Sequence, residues 1–108
     1  MAEKRRGKQP ESLELRRLRL RINALDQRIV ALINERATVA LDVGRAKAAL
    51  GRRSIRDLER EREVLIRIAM SNEGPMPQAD LIALYRLLFK ATRALESADR
   101  AAMEPGDD

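Results

Sequence analysis

Between Glu11 and Leu50 the apolar residues recur at alternating steps of three and four: Leu15, Leu18, Ile22, Leu25, Ile29, Leu32, then Val39, Val43, Ala46 and Leu50. The step from Leu32 to Val39 is bridged by Arg36, so the seam keeps its register through a charged residue. A mean period of about 3.5 residues, held for more than about four heptads, is the pattern of a helix laid along another helix. No proline interrupts the run, and Gly51 follows as a stop signal. A helix of about 38 residues would be roughly 57 Å long at 1.5 Å per residue. A domain of this length has a radius of gyration of about 13 Å, so the helix cannot be buried within its own subunit. The pattern therefore predicts a partner chain.

After a short connection over 51–55, Asp57 sits at a helix start, and Leu58, Val64, Leu65 and Ile68 predict a second, shorter helix ending near Ser71. Asn72 to Pro77, with Gly74 and two prolines, is a break. A third helix is expected from about Gln78 to Ala102, with Leu81, Leu84, Tyr85, Leu88, Thr92 and Leu95 on its apolar face. Strand alternation and internal repeats are both lacking. The predicted fold is all-α, with three helices per chain (long, short, medium) in an intertwined helical homodimer. One helical domain is expected over 12–102, between a basic disordered tail at 1–11 and a second disordered tail at 103–108.

Composition narrows the chemistry. Apolar residues make up 44% of the 108, but Tyr85 and Phe89 are the only aromatics, so the core must come from Leu, Ile, Val and Ala. With charged residues at 36%, a monomer would have a thin core, for which oligomerisation is the usual remedy. The chain has neither Cys nor His. That removes thiol nucleophiles, disulfides, imidazole bases and nearly every transition-metal site. No apolar stretch approaches the roughly 20 residues that span a bilayer, and the basic N-terminus has no apolar core of a secretory signal. A cytoplasmic protein with no membrane partner is the expectation. The net charge of +5 invites a nucleic-acid reading. Against it, basic and acidic residues are mixed along the chain, and the one dense basic block, Lys4, Arg5, Arg6 and Lys8, lies in a tail. A basic site for a small anion explains the same surplus.

Polar residues inside apolar stripes carry the candidate chemistry. Lys47 lies 11 positions beyond Arg36, a rotation of about 1,100°, so both project within about 20° of one direction. Two cations on one face with no carboxylate between them suit an anion. The plainer reading makes Arg36 a register-setting residue and lets Lys47 reach solvent at the rim. Asp57, Arg60 and Glu61 share one face of the second helix, which Val64, Leu65 and Ile68 turn inward. They also fit a plain helix-start cluster, with Asp57 as cap. Thr92 and Glu96 extend the stripe of the third helix, unless that end simply frays toward solvent. Arg19 points about 100° away from Arg36 and could meet the same site only from a partner chain.

The stretch from Leu18 to Arg36, then Val43-Gly-Arg-Ala-Lys47, then Arg56-Asp-Leu-Glu-Arg-Glu-Arg62, resembles the all-helical chorismate mutases over about residues 15–98. The ordered combination of Leu-Asp, Glu-Arg, Val-Gly-x-x-Lys and Asp-x-x-Arg-Glu is specific. The resemblance implies a dimer of crossed long helices that rearranges chorismate to prephenate without cofactor or metal. By the same resemblance Arg36 and Lys47 are cationic positions, one gripping a carboxylate and the other also reaching the ether oxygen. Arg60 completes the grip, and Arg19 comes from the other subunit. Asp57 and Glu61 match positions near the ring hydroxyl, and Thr92 and Glu96 match those at a carboxylate and at the ether oxygen. Glu96 stands where glutamine is commoner, and Thr92 where serine is. A carboxylate donates a hydrogen bond only when protonated, so Glu96 implies a raised pKa or activity favouring acid.

Two relatives would share fold and site: a 4-amino-4-deoxychorismate mutase of an antibiotic pathway, with an ammonium replacing the ring hydroxyl, and an isochorismate-pyruvate lyase. A reading from another class is a non-catalytic basic helical adaptor that binds nucleic acid through residues 4–8.

Overall fold

The computed structural model describes residues 12–104. Among them are three helices and no strand: α1 (Leu13–Ala49), α2 (Leu58–Ser71) and α3 (Gln78–Met103). The expected tails lie outside the described residues, except that Met103 is the last residue of α3 and Glu104 caps it. The chain divides into two compact units, one up to Glu35 and one from Arg36 onward.

In the first unit, Ser12 starts α1 by accepting the Leu15 amide on its hydroxyl at 3.0 Å, so one amide left unpaired by the helix start is satisfied. The 3–4 spacing then places the apolar residues on one stripe, yet none is buried. Leu18 is 44% exposed, Leu25 47% and Ile29 52%. A contiguous apolar stripe left in water is unusual for a chain that acts alone.

In the second unit, α1 ends in a turn that satisfies two of its last carbonyls. Gly51, at φ +78°, donates its amide to Ala48 O at 3.0 Å, and Arg52 donates to Lys47 O at 2.9 Å. A left-handed residue is needed there, and glycine adopts that conformation without a side-chain clash. Asp57 Oδ1 accepts the Arg60 amide at 3.0 Å and so caps α2. Between α2 and α3, Asn72 holds the turn from both ends of its amide, accepting from Gly74 N and donating to Met76 O, each at 3.0 Å.

Helix α2 packs on α3. Arg45, near the end of α1, is joined to Asp99 of α3 by a two-pronged ion pair at 2.7 and 3.1 Å. Arg100 donates to Gly44 O at 3.4 Å and also to Arg53 O. Phe89, 6% exposed, is the one buried side chain among the described residues. The inward stripe of α3 differs from the expected one. Tyr85, Phe89, Thr92 and Glu96 hold its centre, while Leu84 and Leu95 are 54% and 42% exposed. Phe89, Thr92 and Glu96 stand there because they wall a cavity rather than fill a core. No described helix is long and apolar enough to cross a membrane.

Candidate active site

Within the second unit, the end of α1, the 52–55 connection, α2 and α3 enclose an open cavity of about 470 Å³. That is within the size range of small-molecule sites, about 300–1,000 Å³. Val39, Val43, Val64 and Phe89 supply its apolar wall. Five cationic side chains (Arg36, Lys47, Arg52, Arg60 and Arg93) face three carboxylates (Asp57, Glu61 and Glu96), a formal surplus of two positive charges. Such a balance suits a small dianion.

Arg36 is half-buried and spreads over two aromatic rings, its guanidinium carbon 5.9 Å from the Tyr85 centroid and 5.7 Å from that of Phe89. The rings meet edge to face, with centroids 6.2 Å apart. A guanidinium on an aromatic face keeps its in-plane N–H groups available while part of its charge is compensated. The register-setting reading supplies no reason for this shelf. Lys47, one turn before the glycine turn, lines the same cavity.

Glu96 enters from α3 and rests over the backbone of Gly44, where an added methyl would sit 3.7 Å from Oε2. Burial pushes the Glu96 pKa up, against the opposing pull of Lys47, Arg100 and Arg93. Desolvation therefore wins over three nearby cations, and the protonated form is favoured relative to a free glutamate.

On α2, Asp57 caps the helix through one carboxylate oxygen and also lines the cavity, so capping does not take it away from the cavity. Glu61 is clamped: Oε2 accepts from Arg93 Nη1 at 2.5 Å, and Arg56 Nη2 lies 3.7 Å from Oε1. Arg60 lines the cavity, but its guanidinium leans toward Glu63 of its own helix at 3.2 Å and is 59% exposed. Thr92 donates its hydroxyl to Leu88 O at 2.7 Å, a back-bond to its own helix.

Of the eight residues nominated from sequence, Arg36, Lys47, Asp57, Arg60, Glu61, Thr92 and Glu96 line this cavity. Arg19 lies in the first unit and does not. Arg52 and Arg93 line it as well and were not nominated, and neither were Tyr85 and Phe89 as the support of Arg36. Phe89 carried a signal, being one of only two aromatics in the chain. A second cleft of about 600 Å³ adjoins the far side of Glu96. Two of its cations are already engaged, Arg45 by Asp99 and Arg100 by backbone carbonyls. It also lacks Arg36, Lys47 and Arg60, so the smaller cavity is the better anion site.

Comparison with known proteins identifies a family for the chain. A family model described as chorismate mutase type II matches residues 18–97. A bifunctional chorismate mutase/prephenate dehydratase of Stutzerimonas stutzeri is 38% identical over 96 residues, covering 85% of this chain and 26% of that protein. The Escherichia coli K12 protein of the same description is 46% identical over 74 residues, covering 68% of this chain and 19% of its own length. The chain thus spans about a quarter or less of these relatives. The solved chorismate mutase (form II) of Thermus thermophilus superposes with a TM-score of 0.74 at 30% identity, covering 78% of this chain and 94% of that one.

Proposed function

The chain belongs to the chorismate mutase type II family, and from that membership we propose that it is an isomerase converting chorismate to prephenate in the cavity around Arg36, Lys47 and Glu96. The observation that carries the reading is the cavity itself. Three helices bring seven polar residues expected from sequence to one place, with cations in excess of carboxylates for a substrate of charge −2.

The rearrangement is pericyclic. One ether C–O bond breaks as one C–C bond forms, with no proton transferred, so neither nucleophile nor cofactor is required. What the chain must supply is shape and charge. Arg36, pre-set on its aromatic shelf, fixes one carboxylate through paired N–H groups. Arg60 joins by leaving Glu63, at small cost, because an exposed ion pair is worth only about 0–1 kcal/mol. Thr92 meets a carboxylate once its hydroxyl turns from Leu88 O. Holding the enolpyruvyl arm folded over the ring removes an entropic part of the barrier. As the ether oxygen gains negative charge, Lys47 and protonated Glu96 donate to it, stabilising the transition state more than the ground state.

The reading includes a homodimer in which Arg19 reaches the site of the other subunit. The exposed stripe of α1 supports it. Removing roughly half of a Leu or Ile side chain from water contributes about 1 kcal/mol, so Leu18, Ile22, Leu25, Ile29 and Leu32 from two chains contribute about 10 kcal/mol. That is comparable to the 4–15 kcal/mol that association costs, roughly, before other contacts are added.

The test is direct. Purified protein is incubated with chorismate, and products are separated by chromatography. Prephenate is expected. Release of pyruvate from isochorismate with chorismate untouched would move the activity to the lyase, and inertness toward both would remove the reading.

A further inference from the structure

On the proposed reading Asp57 and Glu61, both lining the cavity, meet the substrate ring, and on charge alone these two carboxylates would welcome a cationic ring substituent. The structure places a cation there too. Arg93 projects from α3 one residue after Thr92 and ion-pairs with Glu61 across the cavity wall, Nη1 to Oε2 at 2.5 Å. The pair is largely sheltered, with the Arg93 side chain 26% exposed and Glu61 18%. Arg56 lies 3.7 Å from the other Glu61 oxygen, so both oxygens of this carboxylate face a guanidinium.

Resting on the chorismate mutase reading, we propose that Arg93 is a positioning residue that sets substrate specificity. By neutralising and orienting Glu61, it makes the ring end of the site accept a hydroxyl and reject an ammonium. A hydroxyl needs only a lone pair, and a carboxylate oxygen already holding one guanidinium N–H still has another to offer. An ammonium needs net negative potential, and here it would find a fixed positive charge behind the oxygen it seeks. Unit charges about 6 Å apart in a surface-like dielectric repel strongly enough to change a binding constant by about a hundredfold. The partial exposure of the pair reduces this to roughly tenfold.

The experiment measures kcat/KM for chorismate and for 4-amino-4-deoxychorismate, in which an ammonium replaces the ring hydroxyl, with wild type, Arg93→Met, Arg93→Gln and Arg93→Lys. Wild type is expected to prefer chorismate. The two neutral variants should raise the ratio of amino substrate to hydroxyl substrate about tenfold or more, and Arg93→Lys should restore a ratio near wild type. A general loss of packing would lower both rates together and leave the ratio alone, so the ratio separates specificity from stability. Two neutral variants guard against one failing to fold, and Arg93→Lys reports on the charge if both do, because it then has to match the wild-type ratio. A ratio unmoved in an active neutral variant, a Lys variant as permissive as the neutral ones, or a wild type that favours the amino substrate overturns the proposal. A wild type inert toward both substrates overturns the family-based activity instead, and the two failures are thereby distinct.

Discussion

Replacing Glu96 by glutamine should erase a pH dependence that the wild-type site carries. Glu96 can donate to an ether oxygen only while protonated, and burial raises its pKa against Lys47, Arg100 and Arg93. Above that pKa the protonated fraction falls tenfold per pH unit, so kcat/KM should fall tenfold per unit, about 1.36 kcal/mol of transition-state stabilisation each time. The break in kcat/KM reports the free enzyme and the break in kcat reports the complex. Two substrate carboxylates entering the cavity disfavour the Glu96 anion further, so the kcat break should lie at higher pH than the kcat/KM break. Glutamine donates through its amide at any pH, so Glu96→Gln should give a flat profile that overtakes wild type on the alkaline side. Stability should follow the same sign. A carboxyl with a raised folded-state pKa stabilises the fold below its unfolded pKa, and that contribution is lost as pH rises through the folded value. The Tm of wild type should therefore fall relative to Glu96→Gln over that window. The assay is initial rate against pH for both proteins in buffers of constant ionic strength, with Tm measured alongside. Superimposable rate profiles would refute the argument, as would a folded Glu96→Gln protein inert at every pH.

Subunit mixing tests the proposed sharing of a site between subunits. Arg19→Ala and Arg36→Ala should each lose activity by several kcal/mol of transition-state binding, yet an equilibrated mixture should recover about a quarter of wild-type activity, since half the dimers are mixed and each holds one intact site. No recovery in a mixture shown to exchange subunits would place Arg19 outside the site. At the end of α1, Gly51→Ala forces a side chain into φ +78° with nothing within 4 Å to obstruct it, so the cost is backbone alone. About 1–2 kcal/mol is expected, lowering Tm by roughly 5–15 °C in a thermal melt. An unchanged Tm would mean that the turn does not form in solution.

Much of the fold was legible because it is written in local period and punctuation. The 3–4 spacing gave α1, Gly51 stops it, Asp57 caps α2, and the Asn72–Pro77 segment separates α2 from α3. Of the polar interruptions, Arg36, Lys47, Thr92 and Glu96 are part-buried at the cavity for the same reason, while Arg60 leans out toward Glu63. What spacing does not reveal depends on distance along the chain. Arg93 reads as one more surface cation until packing brings it to Glu61, 32 residues away. Arg52 sits in a connection whose path no periodicity dictates. Leu88 and Phe89 are adjacent, and a single-residue rotation of α3 decides which of them turns further inward. Sequence spacing fixes a face only to within about the 100° between neighbouring residues.

The aromatic shelf under Arg36 has an optical consequence. The chain holds one tyrosine and no tryptophan, so its tyrosine emission arises from a single position. That position carries a guanidinium 5.9 Å from its ring centroid, at the wall of the cavity. When Arg36 turns its charge onto a ligand carboxylate, the electric field across the chromophore changes with it. Excited at wavelengths where Phe89 does not absorb, the unlabelled protein would thus be its own fluorescent gauge of occupancy.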